Sequence, residues 1–171
     1  MEFLIIFLAI FITIAIHEVG HYMFGVIVGI PSKKMKIRLL TFPQHVAIKK
    51  DNKWISPQDK NYVSEVLKYI KTEKDAFLYV SGGFILETIF FIFFVLISKH
   101  LGLNENVLQS IIITLILFHL LYFLMDLIIT AKTQNPSGDL TGLWKISKLG
   151  TLIIIGLMII VYLIALWYVL S

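Results

Sequence analysis

Four apolar stretches, near residues 3–30, 77–98, 108–130 and 151–170, dominate this chain of 171 residues. Each can cross a bilayer, which takes about 20 residues of helix. In hydrocarbon the backbone of such a stretch must satisfy its own hydrogen bonds, which favours a helix. The sequence therefore predicts an all-α membrane protein with four transmembrane helices, forming a single integral membrane domain over residues 1–171. Composition agrees, with 58% hydrophobic and only 15% charged residues, far more apolar than a soluble domain. The first stretch is too long for a cleavable signal and lacks its basic start and small-residue cleavage site.

The basic residues orient the spans. Lys33, Lys34, Lys36, Arg38, Lys49, Lys50, Lys53, Lys60, Lys68, Lys71 and Lys74 fall in segment 31–76, and Lys132, Lys145 and Lys148 in segment 131–150. Only Lys99 belongs to the opposite side. The positive-inside rule makes both segments cytoplasmic, with both termini outside, as in a multi-pass protein of the cell membrane. The net charge of +4 is accounted for by this topology and calls for no nucleic-acid partner.

Segment 31–76 is the one sizeable polar stretch. "KKMKIRLLTF" and "HVAIKK", separated by Pro43-Gln44, read as a short β-hairpin. "SPQDKNYVSEVLKYIK" reads as a helix capped by Ser56, with Pro57 in its first turn. Its apolar residues Tyr62, Val63, Val66, Leu67 and Ile70 alternate with lysines, which makes it an amphipathic helix suited to the membrane surface. A solvated connector is the other reading of the same pattern.

Inside the first span, residues 17–21 read His-Glu-Val-Gly-His. On a helix, two histidines four apart share one face and can bind one zinc ion. Glu18 points about a quarter-turn away, where it can reach a water at the metal without taking a coordination place, as a general base must. Ionisable groups at this depth cost about 2.5 kcal/mol or more each, so they mark a functional site by default. Helix-gluing polarity alone would not need this spacing.

A catalytic zinc takes three protein ligands and leaves a place open for water. With no cysteine in the chain, disulfides and thiolate ligands are excluded, and the third ligand is Asp, Glu or His. Asp126 in "FLMDLIIT", Asp139 in "NPSGDLTG", Glu87 and His119 remain open on composition and spacing. Asn135, Pro136 and Gly138 would end a helix just before Asp139.

The H-E-x-x-H in one span, a glycine motif in the next and an Asn/Pro/Asp-Gly motif at the third resemble the site-2 protease family of intramembrane zinc metalloproteases. The resemblance covers three spans, 3–30, 77–98 and 108–139, with the fourth as an addition. It implies that His17 and His21 bind zinc with an aspartate and that Glu18 is the catalytic base. The family's Gly-Pro-x-x-Asn is here "GFILE", with Gly83 first, Phe84 for proline and Glu87 for asparagine. In its third motif, Asn-x-x-Pro followed by Asp-Gly, Asp126 takes the asparagine position and Asp139 the ligand position, with the glycine before the aspartate. Asp139 is thus the preferred ligand and Asp126 the alternative.

The expected activity is hydrolysis of a peptide bond within or next to the membrane segment of a small membrane protein or peptide. Candidate substrate-binding elements are the strand regions 35–48, which could pair with the substrate backbone, and Gly82 and Gly83. Ser81-Gly82-Gly83 can also be read as close helix packing alone. His45 and His100 read as surface residues, and His119 as a packed polar residue. Two alternatives differ in class: a non-catalytic membrane protein that binds a partner or takes part in transport, and another zinc protease type with Glu87 as third ligand.

Overall fold

The computed structural model describes residues 2–171. Its helices are α1 (Glu2–Ile27), α2 (Tyr62–Val66), α3 (Glu73–His100), α4 (Glu105–Thr133), α5 (Asp139–Ile146) and α6 (Lys148–Leu170), and its strands β1 (Met35–Arg38), β2 (His45–Lys50) and β3 (Lys53–Ile55). Helices α1, α3, α4 and α6 are long and apolar enough to cross a membrane. Many of their leucines and isoleucines are exposed, among them Leu117, Leu121, Leu152 and Leu163. A chain with four such apolar surfaces is a multi-pass membrane protein, as the sequence predicts.

The ends of the spans differ from expectation because capping residues set them. Helix α1 stops at Ile27 rather than near residue 30. Gly29, at φ 101°, closes it with the bonds Ile30 N–H to Gly25 O and Gly29 N–H to Val26 O, and Pro31 follows. Helix α3 begins four residues earlier than 77, where Thr72 and Asp75 exchange side-chain-to-backbone hydrogen bonds as a capping box. Asn104 accepts from the N–H groups of Asn106 and Val107 at the start of α4, and Ser147 accepts from Gly150 N–H at the start of α6.

The described residues divide into two compact units, one of residues 14–86 and the other of residues 2–13 with 87–171. In the first, the expected hairpin is a three-stranded antiparallel sheet in the order β1-β2-β3. The unforeseen β3 folds back through Asp51 and Asn52, both at positive φ, residue types that tolerate the left-handed turn between paired Lys50 and Lys53. The expected helix over 56–71 shrinks to α2. Asp59 accepts hydrogen bonds from the backbone and side-chain N–H groups of Asn61, and this local turn competes with helix before Tyr62. Ile30, Met35, Val46, Ile48, Tyr62, Val66, Ile70 and Tyr79 make the core of the unit. Val63 and Leu67 remain exposed, so only part of the expected amphipathic face is buried.

In the second unit α4 packs on α6, and α5 packs on both. The sequence predicts a helix break at Asn135, Pro136 and Gly138, after the third span. The break is present over 134–138, and beyond it the chain turns helical again at Asp139.

Candidate metal centre

His17 and His21 lie one turn apart on α1, and their Nε2 atoms stand 3.0 Å from each other. His21 is buried, and its Nδ1 lies 3.1 Å from the carbonyl oxygen of Tyr79. A carbonyl only accepts, so Nδ1 carries the proton and the neutral ring keeps its Nε2 lone pair. That tautomer is the one a metal-binding histidine uses, with its other nitrogen held by a backbone carbonyl. Tyr79 is in turn anchored by its hydroxyl, 2.9 Å from the Tyr62 hydroxyl. The latter donates to Val46 O on β2 at 2.8 Å. The sheet core is thereby tied to the residue that orients His21.

Close helix contact sets the other histidine. A Cβ on Gly83 would come within 2.6 Å of His17 Nε2, and one on Gly82 within 2.6 Å of the Phe24 side chain. A Cβ on Gly20 would come within 2.3 Å of Gly82 O. Glycine at all three positions lets α1 and α3 meet backbone to backbone. Gly82 and Gly83 are therefore buried packing residues, one against Phe24 and one against His17. The Phe84 ring meets the His17 imidazole edge-on at 5.0 Å. Glu18 is 8% exposed, buried as the sequence implies for an intramembrane carboxylate.

Asp139 opens α5 and is half-buried; the Tyr122 hydroxyl donates to its Oδ2 at 3.1 Å. Asp126, the alternative ligand, is 4% exposed and held inside the loop that precedes α5. Its carboxylate accepts from Thr141 N–H at 2.9 Å, the Thr141 hydroxyl at 2.6 Å and the Ser137 hydroxyl at 2.7 Å. His17 and His21 thus offer two neighbouring ligand nitrogens on one helix, and Asp139 offers a carboxylate at the start of α5.

Glu87 and His119 are both buried and paired with each other. His119 Nε2 is 2.6 Å from Glu87 Oε1, and its Nδ1 is 2.8 Å from Leu115 O. The Tyr162 hydroxyl lies 3.4 Å from both partners. Tyr162 was missed from the sequence because a tyrosine in an apolar span carries no signal of its partner. His45 Nδ1 bonds to Pro43 O, a local turn contact, and His100 ends α3 in an exposed position.

Comparison of the chain with protein-family models, curated proteins and solved structures found no match.

Proposed function

We propose that this chain is an intramembrane zinc metalloprotease of the kind the site-2 protease family represents. Its target would be a peptide bond in or beside the membrane segment of a small membrane protein or peptide. The observation that carries this is the convergence of His17 Nε2 and His21 Nε2 at 3.0 Å, with His21 fixed in the ligand tautomer by Tyr79 O. Two nitrogens about 2.0–2.1 Å from a tetrahedral zinc stand roughly 3.3 Å apart, so the pair needs to open by only a few tenths of an ångström to fit that ion. Two imidazoles and a carboxylate, with no thiolate, form the donor set of a catalytic zinc. We assign Asp139 as the carboxylate of this set, since the Asp126 carboxylate is engaged by Ser137 and Thr141.

When bound, zinc would supply Lewis acidity, polarising the scissile carbonyl and acidifying water. His17, His21 and Asp139 would hold the ion. Glu18, one residue from His17 on the helix, takes the proton of the attacking water and delivers it to the leaving amine. Burial keeps the carboxylate short of bulk water and strengthens this exchange. An extended substrate could pair with β1 or β3, the two edges of the sheet, which would expose its peptide bonds to attack. The lysine distribution favours a site in the cytoplasmic half of the cell membrane, with water arriving from that side.

Glu18→Gln tests the reading. The variant is expected to retain its metal and to lose proteolysis by at least a hundredfold. A comparison of membrane proteomes between cells carrying the native chain and Glu18→Gln should reveal a membrane protein or peptide that persists uncut in the variant. Identical processing in both would refute the mechanism and leave a non-catalytic partner-binding role.

A further inference from the structure

Residues 122, 126, 137, 138, 139 and 141 form an arrangement that the proposed chemistry does not require and the motif does not contain. Tyr122 and Asp126 are four apart on α4, hence on one face one turn apart. Each grips a different part of the loop that returns to this face. Asp126 holds Ser137 and Thr141, the residues two before and two after Asp139. Tyr122 holds Asp139 itself: its hydroxyl donates to Oδ2 at 3.1 Å and accepts from Asp139 N–H at 3.4 Å. Gly138 is pressed between the two grips. A Cβ there would stand 2.8 Å from Asp126 Cγ and 3.1 Å from the Tyr122 hydroxyl. This explains why the glycine precedes the aspartate: the backbone passes closest to α4 at residue 138, before the ligand.

We propose that Tyr122 is a positioning residue that makes Asp139 a single-oxygen metal ligand. The proposal rests on His17, His21 and Asp139 holding the ion. An aspartate side chain has two equivalent oxygens and can swing about χ2. A hydroxyl bonded to Oδ2 removes that equivalence and directs Oδ1 to the ion. Hydrogen bonding of this kind orients a ligating carboxylate, and its loss costs 10- to 100-fold in metal affinity. Asp126 has the separate task of closing the loop, so the two residues of one helix face divide between folding the loop and aiming its ligand.

The experiment is zinc binding to the purified full-length chain in detergent, by competition with a chromogenic chelator. It compares Tyr122→Phe, Asp139→Asn and the double variant, with thermal unfolding of each metal-free form. Tyr122→Phe is expected to weaken zinc binding at least tenfold while the metal-free melting temperature stays within about 2 °C of the native value. Asp139→Asn should weaken binding more, and the double variant no further than Asp139→Asn alone, since Tyr122 acts through Asp139. Native zinc affinity in Tyr122→Phe beside a weakened Asp139→Asn would overturn the proposal and leave the ligand set standing. Additive losses in the double variant would overturn it too, because Tyr122 would then act elsewhere; this test holds even if Tyr122→Phe melts early. Native affinity in Asp139→Asn would instead bring down the ligand set itself.

Discussion

At Gly83 a single hydrogen stands where a Cβ would lie 2.6 Å from His17 Nε2. The neighbouring atom is the tip of a side chain, so an added methyl would push the imidazole aside before it moved either helix. Gly83→Ala is therefore expected to weaken zinc binding tenfold or more, by displacing a ligand nitrogen. Gly82→Ala meets the Phe24 side chain at its Cβ, which cannot rotate away. That variant should cost about 1–3 kcal/mol of stability through overpacking with a smaller change in metal affinity. Chelator competition together with detergent unfolding separates the two, and equal zinc loss in both would argue that the helix crossing alone matters. The histidines themselves were legible in the sequence because their four-residue spacing is a property of any helix. Close packing at Gly82 and Gly83 was one reading of the sequence, but that Gly83 faces His17 was not legible, because it depends on which residue of another helix stands opposite.

The helices show the same division. Their existence followed from hydrophobic length, whereas their ends followed from groups of two to four polar residues. Thr72 with Asp75, Asn104 and Ser147 each extended a span by three or four residues beyond its apolar run. The reverse happened at Gly29, which shortened α1. Helix α2 lost most of its expected length to the turn around Asp59, and β3 was missed because Lys53-Trp54-Ile55 is too short to show alternation. The cap of α3 matters beyond length, since this helix carries the Tyr79 carbonyl that orients His21. Thr72→Ala removes the acceptor for Asp75 N–H and leaves Thr72 N–H bonded to Asp75 Oδ2. It should lower stability by about 1 kcal/mol, read as an earlier thermal transition in detergent. Hydrogen exchange should speed up in the first turn of α3 and stay unchanged at Tyr79, two turns in; faster exchange at Tyr79 would mean that the cap supports the metal centre as well.

At the scale of the molecule, the intramembrane ionisable residues fall into distinct chemical settings. His17 and His21 present two ligand nitrogens on one helix, and Asp126 closes a loop. Glu87 and His119 satisfy each other with Tyr162 of α6 nearby. Leu115 O accepts from His119 Nδ1, so the 2.6 Å contact between Nε2 and Glu87 Oε1 holds one shared proton. Whichever atom carries it, the pair is neutral overall, which is what hydrocarbon demands. The sequence placed Glu87 among the possible ligands because a carboxylate in a span looks the same whether it binds a metal or a histidine. Only its partner distinguishes the two, and that partner lies 32 residues along the chain. The consequence is a pattern no ligand would give. Glu87→Leu alone should destabilise the protein by about 3 kcal/mol or more, by stranding His119. Adding His119→Leu should restore much of that loss, since a buried pair can be exchanged for apolar residues at little cost. Both variants should bind one zinc per chain with native affinity. Unfolding in detergent reads the first two effects and metal analysis the third; loss of zinc with either change would return Glu87 to the ligand set in place of Asp139.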